Sequence, residues 1–135
     1  MDLHIELVTG KEYITVEEVL SIFAHGEWTK NRTQSQVKKM LEYTDFLVMA
    51  KVDGRPVGFA RMITDRTFRA FVEDVIVLTD FRRCGVGRLM MLKIEEFVKA
   101  LDVPRMELTT TQTGFWERLG YIQRVGSTYM IKNLS

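Results

Sequence analysis

The sequence predicts an α/β or α+β fold in which a mixed β-sheet carries helices on both faces. Three observations support this prediction. Strand-like and helix-like segments alternate along the 135 residues, which is the order expected when helices cover a sheet. Two capping boxes precede apolar helical patterns in the first third of the chain. A continuously apolar strand near the middle indicates a sheet that is covered on both sides.

A strand near the N-terminus is followed by two predicted helices, each introduced by a capping box. Thr15 and Glu18 stand three residues apart before an apolar stripe, and Thr33 and Gln36 repeat the pattern. In such a box the threonine side chain accepts a backbone N–H, and the Glu or Gln side chain accepts one in return. The segment between the two helices, residues 25–32, is predicted to be a loop.

Three strands come next. Residues 46–52 are apolar and partly β-branched, and Asp53-Gly54 is a typical hairpin turn before a second strand at 56–64. Residues 70–78 form the third strand, whose second half is continuously apolar. A run of this kind indicates burial on both faces.

The second half of the chain alternates again. Residues 87–101 have the apolar spacing of an amphipathic helix, which Pro104 ends. The remaining predicted elements are a strand at 106–109, a short helix at 113–119 and two closing strands at 121–124 and 129–132.

Composition argues against several classes of function. The formal net charge is only +1, which gives no reason to expect a nucleic-acid partner. No apolar run is long enough to span a membrane, and the N-terminus has no secretion-signal pattern. Cys84 is the only cysteine, so we expect no disulfide, no metal site and a reducing, cytoplasmic location. The length fits one domain over residues 1–135.

The most informative stretch is the turn between the third central strand and the long helix. Its glycines and arginines are Arg82, Arg83, Gly85, Gly87 and Arg88. Glycines let the backbone approach a ligand, and the N–H groups at a helix start favour an anion. The turn is therefore a candidate phosphate site. A Walker A loop is absent, and Met90 stands where a dinucleotide fingerprint needs its third glycine. The alternative is a tight turn with solvated arginines.

Two motifs in register resemble those of the GNAT acetyltransferase superfamily. Residues 82–87, Arg-Arg-Cys-Gly-Val-Gly, fit the signature Arg/Gln-x-x-Gly-x-Gly/Ala between a strand and a helix. Residues 114–121, Gly-Phe-Trp-Glu-Arg-Leu-Gly-Tyr, resemble the Phe-Tyr-Glu-x-x-Gly-Phe segment that follows it. The resemblance can be laid over residues 20–131 and implies a small bacterial-type member. Its sheet is expected to be mixed, mostly antiparallel and six- to seven-stranded.

The resemblance implies acetyl-CoA as co-substrate. The amides of residues 82–88 would hold its pyrophosphate, and Val75 and Val77 would pair with the pantetheine arm as with an added strand. The backbone N–H of Val75 or Ile76 would polarise the thioester carbonyl. The full set of implied cofactor contacts is Val75, Ile76, Val77, Arg82, Arg83, Cys84, Gly85, Val86, Gly87, Arg88, Thr109, Phe115 and Trp116.

The second motif departs from the family at one position. Trp116 stands where a tyrosine often protonates the departing thiolate, and an indole N–H is no useful acid near neutral pH. Either another group or water protonates the thiolate, or the thiolate leaves without a proton donor. Thr109 occupies a place where the family often has asparagine. Phe115 is expected to pack against the pantetheine or the core.

Glu73 and Asp74 are the candidates for the catalytic base or the amine anchor. The string Glu-Asp-Val-Ile-Val resembles that of glucosamine-6-phosphate N-acetyltransferases, where the acidic pair contacts substrate. Adjacent strand residues point to opposite faces, so only one of the two is expected to face the acceptor. The resemblance favours Asp74, because small family members often carry an acid at that position. The alternative is that Glu73 forms a structural salt bridge with Arg61 or Arg69.

Trp28, Arg32 and Asp74 are the candidate acceptor contacts, because residues 28–32 resemble the substrate-side loop of small bacterial members. The alternative for Trp28 is a core anchor. An amino-sugar phosphate acceptor would need a second basic cluster. The candidates for such a cluster are Arg61, Arg66 and Arg69.

The leading functional prediction is an N-acetyltransferase that moves an acetyl group directly to a primary amine of a small molecule. One alternative is an acetyl-CoA-binding sensor or partner module without efficient turnover, which the replacement at Trp116 favours. Another is a protein acetyltransferase for lysine or N-terminal amines, which would need a peptide groove. The resemblance also allows a homodimer.

Overall fold

The computed structural model describes residues 3–135, and in this part of the chain five strands form one sheet. The strands are β1 (Ile5–Val8), β2 (Phe46–Val52), β3 (Arg55–Thr64), β4 (Ala70–Val77) and β5 (Met106–Glu107). The α-helices are α1 (Val16–Phe23), α2 (Gln34–Tyr43), α3 (Val86–Ala100) and α4 (Thr113–Arg118). The sheet order follows the chain, with β1 to β4 antiparallel and β5 parallel to β4. The predicted mixed sheet is confirmed.

Helices cover both faces of this sheet, as predicted. Along β2, Val48 and Ala50 belong to the core under α3, whereas Leu47 and Met49 belong to the core under α1 and α2. Alternate residues of one apolar strand thus enter two different cores, which explains why the strand shows no polar alternation.

Both predicted capping boxes are present. The Glu18 backbone N–H donates to Thr15 Oγ1 at 3.1 Å, and the Gln36 N–H donates to Thr33 Oγ1 at 3.2 Å. The side chains of Glu18 and Gln36 accept the N-cap N–H groups in return. The boxes fix the residues at which α1 and α2 begin. The second box therefore also fixes where the loop between the two helices ends.

A bulge interrupts β4 at its centre. The register against β3 shifts by one residue between Phe59 and Arg61, so Ala60 faces two residues, Asp74 and Val75. Asp74 has φ +54°, a left-handed conformation that aspartate tolerates better than most residues.

The bulge reverses which residues of β4 face each layer. Val72 packs under α3 before the bulge, and Val75 packs on the same face of the sheet after it. In a regular strand, residues three positions apart would point to opposite faces. Glu73 pairs in register with Arg61, on the face covered by α2. Asp74 contacts the α1–α2 loop on that face as well. The expectation that the two carboxyls point to opposite faces of the sheet is therefore wrong, because the bulge breaks the alternation.

The edge of β4 beyond its short pairing with β5 is open, and this open edge is the β4–β5 cleft. These strands pair only through Ala70 with Met106 and Phe71 with Glu107, so the strand predicted at 106–109 stops at Glu107. Further along, β4 has no neighbour on this edge among the described residues.

Free backbone groups of β4 face the cleft. Leu78 N–H donates to Val57 O in β3 at 2.9 Å, and Ile76 pairs with Phe59 on the same side. By alternation, the N–H groups of Val75 and Val77 point away from β3 and into the cleft.

The sheet has five strands and not six to seven, because the closing strands predicted at 121–124 and 129–132 are absent. In the described chain the backbone of residues 122–135 forms no hydrogen bond of normal geometry. Its apolar side chains pack on nothing, and Ile122, Val125 and Ile131 are 89%, 96% and 72% exposed. The sequence pattern favours strands, but a strand without a sheet to join is at best marginal in water.

Candidate active site

The loop after β4 presents a row of unbonded backbone N–H groups. A short 3-10 helix, Thr79–Phe81, leads towards α3, whose N-cap is Gly85 at φ +86°. Leu89 N–H is the first of the helix to find an acceptor, Gly85 O at 3.0 Å. Within the described residues, the N–H groups of residues 83–88 donate no backbone hydrogen bond. Consecutive free donors at a helix start form an anion cradle.

The side chains around this cradle leave positive charge at its rim. Arg83 and Arg88 are exposed and form no ion pair among residues 3–135. Arg82 instead folds back, and its Nε donates to Val77 O at 3.1 Å. Cys84 is a free, exposed thiol. The loop is thus tied to the end of β4 while two guanidinium groups remain available to a phosphate.

The helix α4 closes the other side of the cradle. A Cβ on Gly87 would lie 2.9 Å from Phe115 Cζ, so only glycine lets these two helices approach so closely. Trp116 is 8% exposed, and its ring packs edge-on against Phe115 and Tyr121, with centroids 5.0 and 5.3 Å away. Burial raises the pKa of Tyr121, so this phenol is a poor substitute acid. Thr109 lies exposed just beyond β5.

Asp74 is fully buried and accepts three side-chain hydrogen bonds. Trp28 Nε1 donates to its Oδ1 at 2.8 Å, and Arg32 Nη1 and Arg61 Nε both donate to its Oδ2 at 2.7 Å. Burial alone would raise the pKa of Asp74, but the hydrogen bonds from Arg32 and Arg61 hold it below its usual value. Asp74 is therefore an ionised anchor for the arginines.

Glu73 lies beside Asp74 and is free of such partners. The two proposed salt-bridge partners are engaged elsewhere, since Arg61 binds Asp74 and Arg69 lies 3.5 Å from Glu107. Burial raises the pKa of Glu73 and the neighbouring Asp74 charge adds to the rise, while the nearby arginines oppose it. A half-buried carboxyl with free oxygens and a raised pKa is better suited to accept a proton than its neighbour.

The α1–α2 loop brings two further side chains to this place. Trp28 is 60% exposed, so the alternative of a core anchor is wrong, and its indole N–H is held by Asp74. The Arg32 guanidinium lies 5.0 Å from the centre of the Phe23 ring. Thr29 is buried, and its Oγ1 donates to Phe23 O at 2.8 Å, which fixes the course of the loop.

A cavity of about 240 Å³ lies between α2 and β3. Its lining residues are Arg32, Gln36, Val37, Met40 and Arg61. Arg32 was predicted as an acceptor contact and Arg61 as a candidate for a basic cluster, whereas Gln36 had been recognised only for its capping role. The signal for Arg61 was the hairpin, which places it across from Glu73.

Arg66 and Arg69, by contrast, lie outside this cavity. Arg66 lies 4.0 Å from Asp45, and Arg69 pairs with Glu107. The basic cluster considered for Arg61, Arg66 and Arg69 therefore does not form, because these arginines are paired with different acids.

A profile of the Acetyltransferase (GNAT) family matches residues 15–121. The chain belongs to the GNAT family. The match spans both motifs from which the resemblance was inferred, and that inference is confirmed. The five-stranded sheet, its central bulge and the helix-capped cradle are thus the architecture of this GNAT chain.

Similar proteins share this fold at low sequence identity. The chain is 28% identical over 115 residues to GCN5-related N-acetyltransferase 1, chloroplastic, from Arabidopsis thaliana, covering 82% of this chain and 58% of the relative. A putative GNAT-family acetyltransferase structure from Xanthomonas campestris pv. campestris has a TM-score of 0.80 at 22% identity, covering 96% of each chain. Aminoglycoside N-acetyltransferase AAC(6')-Iy in complex with CoA has a TM-score of 0.78 at 15% identity, covering 98% and 97% of the two chains. The GNAT chain spans little more than half the length of the first curated relatives it matches.

Residues 3–135 contain neither a cluster of metal-ligating side chains nor a helix that could span a membrane. No group of three or more His, Cys, Asp or Glu side chains is placed to hold a metal ion. No helix in the same range is both long and apolar enough to cross a membrane.

Proposed function

We propose that this GNAT domain, residues 1–135, transfers an acetyl group from acetyl-CoA directly to a primary amine of a small molecule. The observation that carries the proposal is that the unpaired edge of β4 leads along the chain directly into the amide cradle. The cleft offers the free N–H groups of Val75 and Val77, and it runs to the free N–H groups of residues 83–88. Acetyl-CoA has a pantetheine arm that could accept the N–H groups of β4 and a pyrophosphate that could accept those of residues 83–88.

Acetyl-CoA would be bound chiefly by backbone groups. The amides of residues 83–88 and the side chains of Arg83 and Arg88 would hold the pyrophosphate. The edge of β4 would pair with the pantetheine amides as an added strand does. Of the two N–H groups considered for polarising the thioester carbonyl, that of Val75 is the better candidate, because that of Ile76 faces β3.

Glu73 would act as the base that takes the proton from the attacking amine. It lies next to the bulge, on the face of the α1–α2 loop, with its oxygens unpaired. Asp74 would hold Trp28, Arg32 and Arg61 in place and would not exchange protons, since its carboxylate is saturated by three donors.

The departing thiolate would leave without a protein acid. Trp116 lies in the core at the position of the usual tyrosine, and its indole is not an acid near neutral pH. A thiol is only weakly basic, so protonation by water suffices. This same feature keeps a sensor or partner module as the second candidate function.

We also propose that two copies of the chain associate and that the protein is cytoplasmic. The exposed apolar segment 122–134 supports the first proposal. The single cysteine supports the second, whereas a relative is named as chloroplastic.

Calorimetric titration of acetyl-CoA tests the proposed function. We expect micromolar binding, about −8 kcal/mol, and at least a tenfold loss in the double variant Arg83→Glu/Arg88→Glu. The variant Lys38→Glu/Lys39→Glu makes the same charge change on exposed α2 positions and should bind normally. Gly87→Glu is unsuitable, because its Cβ would strike Phe115.

Three results are decisive in this titration and in a thiol-release assay with a panel of amines. Binding that depends on the two arginines, followed by amine-dependent thiol release, supports the enzyme. Binding without turnover of any amine supports the sensor. No binding by the unmodified protein contradicts the acetyl-CoA assignment altogether.

A further inference from the structure

The cavity between α2 and β3 is lined by two arginines whose hydrogen-bonding capacity is mostly unused. Each guanidinium has five N–H donors. Asp74 takes only Nη1 of Arg32 and Nε of Arg61, both through the same oxygen. The remaining donors of Arg61, and Nε and Nη2 of Arg32, have no acceptor among the described residues. Partly buried guanidinium groups without acceptors favour an anionic ligand.

The charge balance in the cavity points the same way. Asp74 is hydrogen-bonded to both arginines, whereas Glu73 acts on them only through its charge, so among residues 3–135 the two guanidinium groups have one directly bonded carboxylate between them. Glu73, the remaining acid nearby, is the group proposed to face the amine. The site therefore offers a carboxyl to the amine and a guanidinium pair to a second, negatively charged group of the same molecule.

The size and the remaining walls of the cavity limit what that molecule can be. Val37 and Met40 supply apolar contacts, and a volume of about 240 Å³ lies below the 300–1,000 Å³ typical of drug-sized ligands. A small molecule with a short apolar stem fits.

We propose that Arg32 and Arg61 form an anion subsite, and that the acceptor is a small amine carrying a carboxylate or a phosphate. The inference rests on the proposed acetyl transfer and specifies its substrate class. The planar forks of the two arginines bind either anion in the same way. Asp74 orients both forks from behind, because it occupies one edge of each and leaves the others facing the cavity.

The proposal predicts a preference within matched pairs of acceptors. Leucine against isoamylamine tests the carboxylate, and O-phosphoethanolamine against ethanolamine tests the phosphate. We expect kcat/KM for the acidic member of at least one pair to exceed that for its neutral partner by about tenfold or more. The pair with the larger ratio identifies the anion. Equal or better turnover of both neutral amines would overturn the proposal.

Gln36→Glu is the sharpest variant, because it places a negative charge on the cavity wall without removing an arginine from Asp74. Gln36 Oε1 accepts the Thr33 N–H at 2.9 Å, a bond that glutamate also makes, so the helix start is preserved. We expect the acidic-to-neutral ratio to fall at least tenfold. Ser35→Glu adds the same charge one residue away, outside the cavity lining, and should leave the ratio unchanged. A ratio that changes equally in both variants, or in neither, would contradict the subsite.

A binding measurement separates failure of the subsite from failure of the proposed reaction. Leucine, O-phosphoethanolamine and their neutral partners are titrated into the protein by calorimetry, with and without CoA. Tighter binding of an acidic member, weakened by Gln36→Glu, supports the subsite even if no acetyl group is transferred. Acetyl transfer to neutral amines together with no preferential binding of the acids would retain the enzyme and overturn the subsite.

Discussion

Glu73 and Asp74 are neighbours in the chain, yet their surroundings favour opposite protonation behaviour. Asp74 is held as a carboxylate by three donors, and its pKa lies below the usual value. Glu73 has no ion pair, and burial raises its pKa. The β-bulge produces this difference in pKa. It places both carboxyls on one face of the sheet, but only Asp74 pairs with Arg32 and Arg61. Two acids with pKa values pushed apart are a common basis for assigning a proton acceptor.

Replacing Glu73 by glutamine should therefore remove catalysis and leave the fold intact. We expect kcat to fall about 10²- to 10⁴-fold, with acetyl-CoA affinity unchanged. In the unmodified protein we expect the proposed activity to be lost as the pH falls through the raised pKa of Glu73, because only the carboxylate accepts a proton. This acid limb should be absent from the pH profile of Glu73→Gln. Glu73→Asp should restore part of the rate and the limb, and a glutamine variant of normal rate would contradict the assignment.

Residue roles were only partly predictable from the sequence. Glu73 and Asp74 stand just before the β4 residues that the resemblance assigns to the pantetheine arm. Strand alternation predicted that only one of them faces the acceptor, and the resemblance favoured Asp74. Alternation fails at a bulge, and nothing in the string Glu-Asp-Val-Ile-Val marks the extra residue. The hydrogen-bond partners of Asp74 lie 13 to 46 positions away in the sequence. Local sequence patterns do not predict contacts over such separations.

At the scale of elements, the loop between α1 and α2 determines the surroundings of Asp74. It begins where α1 ends and must reach Asp74 with Trp28 and Arg32. Gly26 makes this course possible, because a Cβ there would collide with Thr29 Oγ1 and lie 2.9 Å from Ile76 Cδ1. The loop is thus packed directly onto β4.

Gly26→Ala tests this packing. The added methyl must displace Thr29, which donates to Phe23 O, so we expect a loss of about 1–3 kcal/mol in the free energy of unfolding. Acceptor KM should rise more than acetyl-CoA affinity changes, because the loop does not touch the cradle. Denaturant unfolding followed by both kinetic constants measures the effect. Gly114→Ala, whose Cβ would meet only Arg118 Nη1 at 3.6 Å, should be nearly neutral, and equal losses in both variants would refute this account.

Elements were predicted well where the signal is local. Each capping box joins residues three positions apart, and both helices begin where the boxes predict. The two closing strands were predicted wrongly, because a strand also requires an edge to pair with. Residues 121–132 have the composition of strands, but β5 is two residues long and separates from β4 at once. The sequence pattern does not show whether a sheet edge is available, because that depends on tertiary contacts.

The described chain has two hydrophobic cores, one on each face of the sheet, and one apolar segment that neither core covers. Both faces of the sheet are covered, by α1 and α2 on one side and α3 on the other. The segment 122–134 instead exposes large apolar side chains: Ile122, Val125, Tyr129, Met130, Ile131 and Leu134. Clusters of exposed apolar side chains mark interaction sites, and a segment with free backbone groups is able to pair with a strand of another chain.

A second copy of the chain is the partner we expect for this segment. Pairing of two copies through residues 122–134 would satisfy both the backbone groups and the apolar side chains, and it would close a symmetric interface. Sedimentation velocity should show a dimer at micromolar concentrations, and Ile131→Asp should shift it to monomer because a buried carboxylate at the contact is unpaired. Asn133→Asp adds the same charge at an exposed polar position and should remain dimeric. A monomer at all concentrations, or a dimer that survives Ile131→Asp, would assign the segment another role.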